Sequence, residues 1–133
     1  MLEIEDLNLS IGDTPILHDV SLSLEQGRIL GIVGESGSGK SLTALSIMQL
    51  LPNASRTSGS ITFKDQQLLE ADDTLMQDLR GDDISMIFQE PMTALNPVHT
   101  IGDQIAEGIR LHTGASRDAA LERTTALLDR VGL

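Results

Sequence analysis

Cysteine, tryptophan and tyrosine are absent from this chain of 133 residues, and phenylalanine occurs only twice. Without cysteine the chain can form no disulfide framework, and it has neither a thiolate metal site nor a cysteine nucleophile. Apolar residues still make up 40% of the sequence, which is enough for one domain with a sizeable core. The composition therefore predicts an ordered domain.

Positive charge is also scarce. Nine lysines and arginines stand against 20 acidic residues, and the formal net charge is −11. Nucleic acid and anionic lipid would repel such a surface, so we expect a general affinity for neither. Residues 1–6 carry acidic groups where a signal peptide has basic ones, and no apolar stretch is long enough to span a bilayer. We expect a cytoplasmic protein without direct membrane insertion, which reaches a membrane only through protein partners.

The most informative segment is the glycine-rich stretch from Gly34 to Ser41, which fits the pattern G-x-x-x-x-G-K-[ST] at every position. In such a loop, backbone N–H groups face the α- and β-phosphates, and the following helix presents its positive end to the same anion. Lys40 adds a charge for the β- and γ-phosphates, while the Ser41 hydroxyl is a suitable oxygen ligand for Mg²⁺. The predicted binding residues are Gly34, Glu35, Ser36, Gly37, Ser38, Gly39, Lys40, Ser41 and Leu42.

The sequence around this loop matches the context that the motif requires. A continuous apolar run over residues 28–33 predicts a buried parallel strand before the loop, and apolar residues to position 51 predict a helix after it. A chance match in a loop rich in glycine and serine is the alternative, and it does not account for these flanks. Further strands are predicted at 7–11, 20–24, 60–63 and 84–88, and further helices at 72–80, from 100 and from 116.

In this order, the features resemble the nucleotide-binding subunits of ABC transporters. The phosphate loop with Glu35 and the segment Ile87–Pro97 look like the oligopeptide, dipeptide and nickel importer branch. The resemblance covers the whole chain and implies an α/β fold: a P-loop NTPase (ABC ATPase) core with an antiparallel β subdomain and the start of a helical subdomain, incomplete at the C-terminus. The implied division is antiparallel β at 1–27 and 58–70, nucleotide-binding core at 28–51 and 84–91, and helical subdomain from 92 to 133.

The resemblance also assigns roles to single residues. Gln89 would end a core strand, touch Mg²⁺ and the attacking water, and open a loop that senses the membrane subunit. Lys40 and Gln89 are then the catalytic candidates, and Ser41 and Gln89 the metal ligands. From the residues alone, a surface glutamine after a strand is the favoured interpretation of Gln89. Glu90 could by position serve as metal ligand or general base, but the resemblance places the catalytic glutamate elsewhere.

The function that the resemblance implies is ATP hydrolysis coupled to uptake of peptides or a similar small solute. Two ATP-binding subunits, alike or different, would clamp ATP beneath transmembrane permease subunits at the inner face of the cell membrane, with Thr93–Ile101 contacting the permease. Two other interpretations remain: a nucleotide-binding module without turnover, and a soluble ABC protein acting on DNA or ribosomes, which the negative charge disfavours.

The chain departs from the family pattern in several ways. It contains no LSGGQ-like signature, no Walker B aspartate with its catalytic glutamate, and no switch histidine, so we expect it to bind nucleotide without hydrolysing it alone. Ile11 stands where the family stacks adenine on an aromatic ring. The strands at 28–33 and 84–88 would lack the neighbours that lie between them, which predicts exposed edges and poor stability. The three histidines, His18, His99 and His112, are predicted to be surface residues.

Overall fold

A computed structural model describes residues 1–89 and 94–133 of the chain. They form two compact units, Met1–Gln77 and Asp78–Leu133. The elements in chain order are β1 (Leu2–Ile11), β2 (Thr14–Leu24), α1 (Lys40–Ile47), β3 (Ser55–Phe63), β4 (Gln66–Gln67), α2 (Asp73–Leu79), α3 (Ile101–Thr113) and α4 (Arg117–Arg130).

The first unit is built on an antiparallel sheet with the strand order β2-β1-β3-β4. Its buried side chains come from one face of the sheet, because successive residues of a strand point to opposite faces. Ile4, Leu7 and Leu9 of β1 are buried together with Leu17 of β2 and Ile61 of β3. The step of three residues from Ile4 to Leu7 breaks the period of two, and the pairing of β1 with β2 shifts register between these two residues.

The register shift has a local cause in paired irregularities of β1 and β2. Asp6 and Asp19 adopt positive φ values of 47° and 48°. The Asn8 side chain bridges them: its Nδ2 donates to the Asp6 carbonyl oxygen and to Asp19 Oδ1, each at 2.9 Å, and its Oδ1 accepts from the Asp19 N–H. In β3, Gly59 has φ +94°, and a β-carbon there would collide with the Asp6 carbonyl oxygen. Glycine and asparagine thus allow a bulge that keeps the leucines on the buried face.

Helix α1 is tied to the sheet unit at its C-terminal end. Thr43, Ser46 and Met48 are buried. Gln49 follows the helix with φ 50°, and its side-chain amide donates to the carbonyl oxygens of Leu68 and Ala71. The apolar pattern predicted a helix up to Leu51, but the structure ends α1 at Ile47 because Gln49 takes the left-handed conformation that terminates helices.

The second unit contains two capped helices, α3 and α4, which contact each other. Thr100 caps α3 by accepting from the Asp103 N–H, and Ser116 caps α4 by accepting from the Ala119 N–H, as the sequence predicted for Ser116. Gly114, with φ 66°, ends α3. The buried positions of the two helices are small residues, Ala106, Ala120 and Thr124.

The predicted helices at 72–80, from 100 and from 116 are confirmed to within a few residues, and so is the antiparallel pairing of the first two strands. The limits of the first three strands were wrong. Strand β1 begins at Leu2, five residues before the predicted start. Strand β2 begins at Thr14 and includes Pro15. Proline has no N–H group to donate, and β2 tolerates it because an edge strand is paired on one side only. Strand β3 begins at Ser55, five residues before the predicted start, because its polar residues pair with β1 while remaining exposed.

The prediction of buried strands at 28–33 and 84–88 was wrong. Within the residues that the structure describes, neither segment belongs to a strand, and Ile84 makes one isolated bridge with Arg80. Ile29, Val33 and Ile87 are 100%, 93% and 98% exposed. A strand forms only when its N–H and C=O groups find a partner, and no described strand pairs with these segments. This exposure agrees with the expectation that they would lack neighbours.

Asp103 links the two helices of the second unit and provides a test of this arrangement. Hydrogen bonds from the Thr100 hydroxyl (2.7 Å) and from Arg117 (3.2 Å) hold the pKa of the Asp103 carboxyl below its usual range. A carboxyl whose pKa is lower in the folded state stabilises the fold above its unfolded pKa, and the effect is lost as pH falls through the folded pKa.

Asp103→Asn should therefore reduce stability modestly at pH 7, with the difference from the unmodified chain disappearing in acid below the folded pKa of Asp103. Urea unfolding from pH 7 down to pH 2 measures the free energy of unfolding at neutral pH and in acid. Asp129→Asn, an exposed carboxyl near the end of α4, is the control. A loss for Asp103→Asn that is the same at every pH would contradict this role of the carboxylate.

Candidate phosphate site

The glycine-rich loop owes its shape to two left-handed glycines. Gly37 has φ 82° and Gly39 has φ 89°, a region that residues with a β-carbon rarely adopt. Between them the Ser38 N–H donates to the Glu35 carbonyl oxygen at 3.2 Å, which closes a tight turn. A β-carbon on Gly34 would lie 2.6 Å from Ser38 Oγ, so a larger residue here would displace the Ser38 side chain. The predicted loop residues are thus brought together in one compact turn.

The Lys40 ammonium group is held against this loop. Its Nζ donates to the carbonyl oxygens of Gly34 at 2.9 Å and Glu35 at 2.7 Å, and to Ser38 Oγ at 3.3 Å. The three donors of the ammonium group are therefore matched by three oxygen atoms of the loop. Lys40 is the only cationic side chain among residues 34–42, so it is the group that would attract an anion to this loop.

Helix α1 begins at this loop with its first N–H groups available. The first four N–H groups of a helix have no partner within the helix, and they favour negative charge. The N-cap residue is Gly39, which has no side chain, and no side chain among the described residues caps α1. Ser41 lies exposed in the first turn, and Leu42 follows it half-buried. A phosphate group fits this end of the helix.

The residues present also fit Mg²⁺ beside a bound phosphate. Mg²⁺ keeps several waters and takes one or two protein oxygens next to phosphate oxygens. The exposed Ser41 hydroxyl is one such oxygen, on the same helical turn as Lys40. Among the described residues, no group of three or more histidine, aspartate or glutamate side chains could hold a metal ion by itself. Any metal here would depend on the phosphate for most of its negatively charged ligands.

The other predicted site residues lie elsewhere in the chain. Gln89 is exposed and belongs to the second unit, whereas Lys40 and Ser41 belong to the first. Glu90 and Thr93 lie outside the described residues. Ile11 ends β1 in a half-buried position beside the turn at Gly12.

The histidines provide no further site in the described residues. The three of them, His18, His99 and His112, are exposed, as predicted for surface residues. No helix in the described part of the chain has the length and apolar character needed to cross a bilayer.

Sequence reasoning missed the residues that hold Gly39 in place. The Gly39 carbonyl oxygen accepts from the Thr43 N–H at 2.8 Å and from Thr43 Oγ1 at 3.1 Å. From the other side, the side chain of Leu17 in β2 packs so closely that a β-carbon on Gly39 would collide with it. The period-two pattern of Val20, Leu22 and Leu24 points to Ile16 rather than Leu17, because the irregularity at Asp19 shifts the phase of β2. Nothing in the sequence indicates which residue Leu17 touches.

Sequence comparisons assign a family to the chain. The family model described as ABC transporter matches residues 17–133. The chain is 43% identical to the oligopeptide transport ATP-binding protein OppD of Salmonella typhimurium, over 98% of its own length. It is 50% identical to the probable peptide ABC transporter ATP-binding protein y4tR of Sinorhizobium fredii, over 86% of its length. The chain spans 40% and 35% of these two relatives.

A solved structure shares the fold. It is described as a dimeric post-hydrolysis state of the ATP-binding cassette MJ0796 bound to ADP and Pi, and it matches with a TM-score of 0.80 and 24% identity. The match covers 97% of this chain and 56% of that one. The antiparallel sheet, the phosphate loop and the four helices are thus part of an ABC ATPase fold. The family model and the relatives together show that the chain belongs to the ABC transporter family.

Proposed function

We propose that this chain binds ATP and Mg²⁺ at residues 34–42, as part of the ATP-binding subunit of an importer for peptides or a similar small solute. The observation that carries the nucleotide site is the Lys40 ammonium group on a left-handed glycine turn, directly before a helix end without a side-chain cap. The relatives named for peptide and oligopeptide transport support the solute class.

Binding would change the partners of Lys40. Its ammonium group now donates to two neutral carbonyl oxygens and one hydroxyl. Phosphate oxygens carry negative charge, so they add Coulomb attraction to the ammonium group that neutral carbonyl and hydroxyl oxygens do not supply. The ammonium group would therefore transfer its donors to the β- and γ-phosphate oxygens, while the amides of Gly37–Leu42 orient the phosphate chain. Exchange of these partners needs only side-chain motion, because the turn is already formed.

Phosphoryl transfer depends mostly on positioning and on stabilisation of negative charge. In this proposal Lys40 supplies charge, Ser41 supplies one oxygen ligand to Mg²⁺, and Gln89 supplies an amide that can accept and donate beside the metal and the attacking water. The described residues bind and orient a phosphate chain, and no general base is assigned among them. We therefore propose that residues 1–133 bind nucleotide without turning it over, and that turnover belongs to the longer subunit with its partners.

The contact with permease subunits is proposed for the loop that precedes α3. Leu95 and Val98 of this loop are exposed, Val98 to 83%, and so is Ile101 at the start of α3. Gln104 holds this loop from α3: its Oε1 accepts from the Asn96 N–H at 2.8 Å, and its Nε2 donates to the Asn96 and His99 carbonyl oxygens. An apolar surface on a fixed loop suits a protein partner. The subunit would thus sit at the cytoplasmic face of the membrane, as one of two ATP-binding subunits.

The nucleotide site is tested by equilibrium binding of a fluorescent ATP analogue with Mg²⁺ to the chain and to Lys40→Ala. We expect at least a tenfold loss of affinity in the variant, or about 1.4 kcal/mol or more, because a charge-assisted contact to the phosphates is removed. Lys64→Ala, an exposed lysine after β3, is the matched control. Phosphate release should be absent from the chain and its variants.

Two outcomes would contradict the proposal. Equal affinity in the unmodified chain and in Lys40→Ala would place the nucleotide elsewhere. Equal affinity for ATP and GTP would remove adenine from the proposal, since Ile11 offers aliphatic contact where an aromatic ring would stack on the base.

The permease contact is tested in the full-length subunit with Leu95→Asp and Val98→Asp. Each variant should reduce uptake of a labelled dipeptide and tripeptide mixture by cells while ATP affinity is unchanged, because a charge in an apolar contact is costly to desolvate. Leu111→Asp, which changes an exposed leucine of α3, is the control. Full uptake in both loop variants would count against this surface.

A further inference from the structure

Two residues outside the glycine-rich motif contact Gly39 from opposite sides. On one side, Thr43 of α1 donates its N–H and its hydroxyl to the Gly39 carbonyl oxygen. On the other, Leu17 of β2 lies against the Gly39 Cα. The Ile16 carbonyl oxygen, 3.9 Å from a β-carbon built on Gly39, shows that the β2 backbone is also close. Strand β2 therefore forms one wall of the turn.

The position of Gly39 determines what the loop presents to a phosphate. Gly39 is the N-cap of α1 with φ 89°, so a small rotation there would redirect the first N–H groups of the helix and the Lys40 side chain that follows. Nothing in an isolated glycine resists such a rotation, because glycine has the widest conformational freedom of any residue. The resistance must come from the neighbours.

We propose that Leu17 is a positioning residue for the phosphate site: it presses the β2 side of the antiparallel sheet against Gly39 and so maintains the left-handed start of α1. The inference rests on the proposed nucleotide function. Leu17 is well placed for this, since it is 4% exposed and paired in register with the buried Leu9 of β1, the central strand.

The experiment compares Leu17→Ala with Leu9→Ala. The two leucines are cross-strand partners, both are buried, and each substitution removes the same atoms from the same core. Leu9 is not among the nearest atoms to Gly39. Affinity is measured for ATP and for inorganic tripolyphosphate, which reports the loop without a base or a ribose.

On samples shown to be folded by circular dichroism, we expect Leu17→Ala to weaken both ligands about tenfold, because a displaced binding group loses most of its contact. Leu9→Ala should weaken them less than Leu17→Ala does, because it leaves the Leu17 side chain in place beside Gly39. Leu17→Met, which conserves volume, should restore affinity. If the alanine variants do not fold, Leu17→Val and Leu9→Val repeat the comparison, since valine also lacks the δ-carbons that reach Gly39.

A second readout does not depend on nucleotide. The Thr43 amide is bonded to the Gly39 carbonyl oxygen, so its hydrogen exchange reports the integrity of the turn. We expect faster exchange at Thr43 in Leu17→Ala than in Leu9→Ala. Equal exchange and equal affinity in the two variants would overturn the inference and leave Leu17 as an ordinary core residue. No binding by the unmodified chain would instead contradict the proposed function, and the exchange comparison would still decide the role of Leu17.

Discussion

The glycine-rich loop depends on one backbone conformation, the left-handed turn at Gly39 from which α1 starts. This turn leaves the first N–H groups of α1 without side-chain caps and places Lys40 where its ammonium group reaches back over Gly34 and Glu35. Leu17 and Thr43 hold the turn from outside the motif. The antiparallel sheet is thus a support for the site as well as a packing layer.

In the same sheet, a local bulge in β1 keeps the apolar residues of that strand on the buried face. The bulge around Asp6 shifts the phase of β1 so that Ile4, Leu7 and Leu9 all reach the core, and the small Gly59 on the neighbouring strand makes room for it. Without the shift, either Ile4 or the two leucines would face water. The buried face that carries Leu17 therefore depends on Asn8 bridging two aspartates on the opposite side.

Motifs with short-range causes were predictable from sequence. The spacing from Gly34 to Ser41, the cap at Ser116 and the alternation in β1 each depend on residues close along the chain, and the structure contains the loop, the cap and the strand. The prediction of a buried strand at 28–33 was wrong, because a strand needs pairing partners that are distant in sequence, and no described strand supplies them. The contact between Leu17 and Gly39 was missed for the same reason, since it joins residues 22 positions apart.

The central claim is that nucleotide enters the turn before α1. The most direct test is a titration of the isotopically labelled chain with ATP and Mg²⁺, followed by the amide resonances of each residue. We predict that the largest shifts fall on the amides of Gly37–Leu42, because these groups would donate to the phosphates. Saturable binding with the largest shifts outside residues 34–42, or no shift at any amide of the loop, would contradict the account.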